Sequence, residues 1–135
     1  MSLPTAQASP DLAATGAARG TILLAHGSRD PLWKQPIEAV ACHIRKIAPT
    51  MAVRCAYLEA TVPDLASSAA ELADLGVAAI TIVPLFIGVG KHAREDLPVL
   101  LATLRVRHPQ IAFDLRPSLG EEPQIIELIA QISIS

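Results

Sequence analysis

The chain has 135 residues, about the size of one domain, and 51% of them are hydrophobic, enough for a packed core. A formal net charge of −2 leaves no basic excess to hold nucleic acid or an anionic membrane. With aromatics at 3%, the core must come from Leu, Ile, Val and Ala, which suits helices packed on a parallel sheet.

Residues 1–19 are rich in Ala, Ser, Thr, Pro and Gly. They lack the basic start and continuous apolar stretch of a signal peptide. They are expected to form a flexible N-terminal arm on a cytoplasmic protein, ahead of one α/β domain over 20–135. Thr21-Ile22-Leu23-Leu24-Ala25 predicts a first strand. Asp30-Pro31 makes a turn or cap, and Trp33, Ile37, Val40, Ile44 and Ile47 then mark one face of a helix. Pro36 is tolerable only near the start of that helix, and Pro49 lies just beyond its end.

Ala52 to Leu58 predicts a second strand. Pro63-Asp64 opens a second helix with Leu65, Ala69 and Leu72 on one face, and Gly76 stops it. Ala78 to Val83 predicts a third strand. Asp96-Leu97-Pro98 resembles a cap with proline in the first turn, leading a third helix through Leu100, Leu101 and Leu104. Ile111 to Leu115 predicts a fourth strand. Gly120-Glu121-Glu122-Pro123 opens a last helix, with two acids near its positive end and an apolar stripe of Ile125, Leu128, Ile129 and Ile132.

This alternation predicts an α/β fold: a single open, mostly parallel four-stranded sheet with helices on both faces. Strands one and three are uninterrupted apolar runs, as expected where both faces are covered. Arg54 on strand two, and Asp114 and Arg116 on strand four, mark those two as edges. Short right-handed crossovers then give the order 2-1-3-4. The winding reverses between strands one and three, so a crevice opens at their carboxyl ends. His26 directly follows strand one, and the segment leading to His92 follows strand three. The pattern therefore puts both histidines on one rim.

Two loops carry the candidate chemistry: His26-Gly27-Ser28-Arg29-Asp30, and Phe86 to Asp96 with its Gly88-Val89-Gly90-Lys91-His92 run. Both set Gly beside His, so backbone can approach a ligand closely. Arg29, Lys91 and Arg94 add cations, and Glu59 after strand two adds a carboxylate to the same rim. Three readings compete. Gly88-Val89-Gly90-Lys91-His92-Ala93 formally fits a dinucleotide fingerprint, but it follows the third strand and lacks an acidic ribose partner. A histidine phosphatase would need Arg-His-Gly after its first strand, whereas Ala25 precedes His26. The third is metal handling: two imidazoles bind Fe²⁺, Co²⁺ or Ni²⁺ acceptably, yet are too few for a closed structural site. An imidazole also titrates close to neutral pH and so can take a proton.

The remaining candidates have plainer explanations. His43 and His108 fit solvated or helix-end cations. Ser28 and Asp30 fit turn and cap residues, and Trp33 fits packing. Cys42 and Cys55 form no C-x-x-C pattern and are expected to be small buried hydrophobes.

The runs Leu24-Ala25-His26-Gly27-Ser28-Arg29-Asp30-Pro31 and Val83 through Pro98 resemble the two signatures of the small CbiX-type sirohydrochlorin chelatases, the class II chelatase family. The likeness extends to Tyr57-Leu58-Glu59 and to Arg116-Pro117-Ser118-Leu119-Gly120. It implies insertion of Co²⁺ or Fe²⁺, with Ni²⁺ in archaeal relatives, into sirohydrochlorin for cobalamin or sirohaem synthesis. His26 and His92 would bind the metal and accept pyrrole protons, with Glu59 as a third catalytic candidate. Ser28, Arg29, Gly88, Gly90, Lys91 and Arg94 would hold the polycarboxylate substrate. The divalent metal is a substrate, and no organic cofactor is implied. Each chain would be half of a larger chelatase, so a homodimer is expected. A tetrapyrrole- or metal-binding protein of the same fold without catalysis is the alternative.

Overall fold

The computed structural model describes residues 18–135, and most of the expected arm lies outside the described residues. Four parallel strands, β1 (Arg19–Ala25), β2 (Ala52–Tyr57), β3 (Ala79–Pro84) and β4 (Ala112–Leu115), form one sheet in the order β2-β1-β3-β4. The helices are α1 (Gln35–Ile47), α2 (Leu65–Asp74), α3 (Lys91–Arg107) and α4 (Pro123–Ile134). Single 3₁₀ turns, Pro31–Lys34 and Leu119–Glu121, precede α1 and α4. The predicted order and edges are those observed. At the β2 edge, Arg54 pairs with Glu71 of α2 at 2.8 Å.

Strand periodicity divides the core into two layers. Ile22 and Leu24 of β1, with Ile80 and Ile82 of β3, face α2 and α3. Leu23 and Ala25 of β1, with Val53 and Tyr57 of β2, face Ile37 and Ala41 of α1. No described helix is long and apolar enough to cross a membrane.

Three expectations need correction. The first concerns β3, which is closed on one face only: Ile80, Ile82 and Pro84 are buried, whereas Ala79, Thr81 and Val83 are half-buried. The reason is that α1 lies over β1 and β2, while α4 does not lie on the sheet. Its residues are all at least partly exposed, and its main contact is with the turn before it. The second concerns α3, which begins at Lys91 with Gly90 as its N-cap. Asp96 is therefore mid-helix, and Pro98 sits inside the helix rather than in its first turn. The third concerns the cysteines: Cys42 is exposed on α1 and Cys55 is half-buried. Position on the helix, rather than residue type, decides the exposure of Cys42.

Candidate functional site

The carboxyl ends of β1, β2 and β3 meet at a cavity of about 550 Å³, within the range typical of small-molecule sites. His26 and Glu59 reach it by backbone pairing that continues past the strands. Leu58 N–H donates to Ala25 C=O (3.0 Å) and Glu59 N–H donates to His26 C=O (2.9 Å). Gly27 makes this approach possible. Its φ is +107°, and a Cβ there would strike the Glu59 carbonyl oxygen. The His26 ring is exposed and lies against the buried Phe86 ring, with centroids 4.3 Å apart and planes at 33°.

His92 comes from the first turn of α3 and lines the same cavity, as do Gly90 and Lys91. Gly90 offers no capping side chain. The unpaired amides of the α3 start and the Lys91 ammonium therefore give this end a positive character suited to an anionic group. Leu58, Leu97, Val99 and Leu100 supply an apolar wall.

The structure brings together His26, Glu59, Gly90, Lys91 and His92 from the predicted set. Ser28, Arg29, Gly88 and Arg94 do not line the cavity. Ser28 Oγ accepts from Asp30 N–H (3.1 Å), and Asp30 Oδ1 accepts from Leu32 N–H (2.9 Å), a turn and a cap as expected. Arg94 Nη1 donates to Val89 C=O at 3.0 Å. His43 is exposed on α1, and His108 caps the end of α3. Trp33 packs edge-on to Tyr57 at 6.1 Å. The Tyr57 hydroxyl is buried without a partner, and burial, aided by charge at Cys55 and Glu38, pushes its pKa up to about 12.

Two residues beside the cavity lie outside the expected set. Phe86 backs His26, and only its place in the second signature hinted at a role. Asp96 lines the cavity one helical turn after His92, with no ion pair among the described residues. His92 and Asp96 are spaced i, i+4 on one helix face because the helix begins at Lys91 rather than at Asp96. His26, Glu59, His92 and Asp96 share this wall without converging. Among the described residues, no three His, Cys, Asp or Glu side chains stand close enough to hold a metal ion.

The profile of the CbiX family matches residues 20–133, which includes every residue named in the cavity. The chain belongs to the CbiX family. A sirohydrochlorin cobaltochelatase of Methanococcoides burtonii is 33% identical over 82 residues, covering 61% of this chain. That match spans 63% of the relative, so the chain covers less than two thirds of the relative's length. Among solved structures, a CbiX protein from Marinobacter aquaeolei VT8 superposes with a TM-score of 0.74 at 29% identity, covering 86% of this chain and 94% of that one. The sirohydrochlorin chelatase SirB from Bacillus subtilis subspecies spizizenii, solved with cobalt, gives a TM-score of 0.73 at 20% identity. This chain covers 50% of SirB, and the two share the fold.

Proposed function

We propose that this CbiX-family chain inserts a divalent metal, Co²⁺ or Fe²⁺ with Ni²⁺ as a further candidate, into sirohydrochlorin. The carrying observation is that His26 and His92, from loops 66 residues apart in sequence, line one cavity together with Glu59. Similarity to sirohydrochlorin cobaltochelatases supports the choice of substrate.

The chemistry asks three things of the site. The metal must be presented to the macrocycle by weak ligands. Two pyrrole N–H protons must leave as the metal enters. The anionic rim of the substrate must be held. His26 and His92 answer the first. An imidazole not engaged with metal, or the Glu59 carboxylate, answers the second. Lys91 and the amides at the start of α3 answer the third, with Ser28, Arg29, Gly88 and Arg94 contributing as the loops adjust around substrate. Leu58, Val99 and Leu100 give the macrocycle an apolar face to rest on. The reaction needs no organic cofactor. The working unit is a homodimer in the cytoplasm, and cobalamin or sirohaem synthesis is the setting.

The test follows the absorbance of sirohydrochlorin mixed with purified protein and each of Co²⁺, Fe²⁺ and Ni²⁺. The wild-type chain should accelerate insertion of at least one ion over buffer, and His26→Ala and His92→Ala should each be strongly impaired. No acceleration with any ion refutes the enzyme and leaves a binding protein. Full rate in both variants refutes the site.

A further inference from the structure

Arg116-Pro117-Ser118-Leu119-Gly120 follows β4, and none of its residues lines the cavity. Phe86 does not line it either, and is buried in the core layer that faces α2 and α3. The two meet in the backbone. Gly120 N–H donates to Phe86 C=O (2.9 Å), and a Cβ at Gly120 would strike the Ile87 carbonyl. The turn itself is anchored at its start. Arg116 N–H donates to Ile82 C=O (2.9 Å), and the Arg116 guanidinium pairs with Glu122 at 2.7 Å. On the other side of Phe86, Leu85 N–H donates to Leu24 C=O (2.8 Å), which carries the β1–β3 pairing past the strand. Phe86 is thus held from β1 through its preceding residue and from the β4 turn through its own carbonyl.

His26 is held far less. Its ring is exposed, and among the described residues neither ring nitrogen makes a hydrogen bond. A metal-ligating histidine is ordinarily oriented by a hydrogen bond from its second nitrogen. What His26 has instead is the Phe86 ring, with centroids 4.3 Å apart and planes at 33°. A contact nearer to stacked than to edge-on covers the imidazole face and leaves the nitrogens, at the ring edge, uncovered. The plane matters because a metal binds an imidazole in the plane of the ring, along a nitrogen lone pair. Turning the ring swings the ion, and a ligand must hold its direction to within roughly 10–20° to be useful.

We propose that Phe86 is a positioning residue that fixes the ring plane of His26, and that the Arg116–Gly120 turn acts on the site by fixing Phe86. The inference rests on the metal-binding role proposed for His26. It gives the Arg116–Gly120 motif a part in the chemistry from outside the cavity. The order of action runs from Gly120 to the Phe86 backbone, from the Phe86 ring to the His26 ring, and from there to the direction of the metal bond.

The test measures Co²⁺ binding to the full chain without tetrapyrrole, in a double-mutant cycle of Phe86→Leu and His26→Ala. Phe86→Leu keeps an apolar side chain and removes the ring. It should weaken Co²⁺ binding about 2- to 10-fold, the size of one aromatic contact, and shift the visible absorption of the bound ion. In the His26→Ala background the same substitution should change binding by less than about 2-fold, because the ring it orients is gone. Gly120→Ala should behave alike, weakening Co²⁺ binding only where His26 is present. Phe113→Leu removes another buried ring from the same core layer, one beside His108 that does not line the cavity, and should leave Co²⁺ binding unchanged.

Should Phe86→Leu fail to fold, the unsubstituted chain decides by NMR. His26 should occupy one side-chain rotamer, with cross-relaxation between its ring protons and those of Phe86. A loss that persists in the His26→Ala background, or an equal loss in Phe113→Leu, would mean general loosening of the core and overturns the inference. So does Co²⁺ binding that is unchanged in Phe86→Leu or in Gly120→Ala, or a His26 ring that samples several rotamers away from Phe86. If His26→Ala binds Co²⁺ as tightly as the wild-type chain, the metal role of His26 fails and the inference falls with it. The chelatase reading is judged separately, by metal insertion into sirohydrochlorin in the unsubstituted chain.

Discussion

Gly27→Ala tests whether the cavity depends on the close approach of two loops. At φ +107° a side chain is strained by about 1–3 kcal/mol. The new Cβ also meets the Glu59 carbonyl, which is backbone and cannot rotate away. Moving it disturbs the Glu59 N–H bond to His26 C=O, worth about 1 kcal/mol. Reduced freedom of the unfolded chain returns about 0.4–1 kcal/mol. The net loss is about 2–3 kcal/mol, or a fall in Tm of roughly 10 °C for a domain of this size. Gly88→Ala is the matched control. It lies in the other loop, its Cβ would meet nothing within 4 Å, and its φ is not positive, so its cost should stay within about 0.5 kcal/mol. Urea and thermal denaturation of both variants measure the contrast. Equal stability of the two refutes the argument that Gly27 is there to let Glu59 approach His26.

Ser68→Ala should raise stability by about 0.5–1 kcal/mol, because the Ser68 hydroxyl is buried in α2 without a partner; a lower Tm would contradict this. Asp64→Ala should cost about 1 kcal/mol at neutral pH, since Asp64 Oδ1 accepts from Ser67 N–H at 2.8 Å as the α2 cap. That hydrogen bond, helped by the Ser67 side chain, holds the Asp64 carboxyl below its usual range. The cap's contribution is therefore full above the unfolded carboxyl pKa of about 4 and is lost as pH falls through the lower folded value. The gap between wild-type and variant melting temperatures should close in acid, and a constant gap argues against a charged cap. Asp96→Asn should raise the metal concentration needed for half-maximal insertion several-fold and leave that for sirohydrochlorin unchanged. The opposite pattern in initial rates would place Asp96 on the substrate side.

The sheet was legible because strand periodicity and the placement of Arg54 and Asp114 report burial directly. The same signals place His26 and the segment leading to His92 on one rim of the sheet. The start of α3 was not legible, for a physical reason. Its first turn, Lys91-His92-Ala93-Arg94, has no apolar stripe, and its Gly90 cap supplies no side-chain hydrogen bond. Asp96-Leu97-Pro98 imitates a helix start, yet Pro98 lies inside, where it withholds an N–H from the Arg94 carbonyl. With the start displaced, Asp96 seemed a cap and the His92–Asp96 face went unseen. The α4 stripe was readable as a pattern. Periodicity states which face of a helix is apolar and says nothing of which surface will cover it.

The cavity's charge distribution bears on how such a site would treat a metal as cargo. Its lining carries the Glu59 and Asp96 carboxylates against one ammonium, Lys91, beside two imidazoles. Under the proposed function, a divalent cation would be drawn to that wall, while carboxylates of the substrate would be directed to Lys91 and the start of α3. If the four donors converged, the site would resemble a closed structural centre and would hold the ion. Spread along a wall, they would offer only partial ligation, which under the proposed function a macrocycle with four nitrogens would outcompete. A rearrangement that brought His26, His92 and one carboxylate onto a single point should tighten metal binding and slow transfer. Lengthening Asp96 by one methylene, as Asp96→Glu, is a direct way to attempt it. The expected signature is tighter Co²⁺ binding without tetrapyrrole, together with slower insertion. Tighter binding with faster insertion would show that capture, rather than release, limits the reaction.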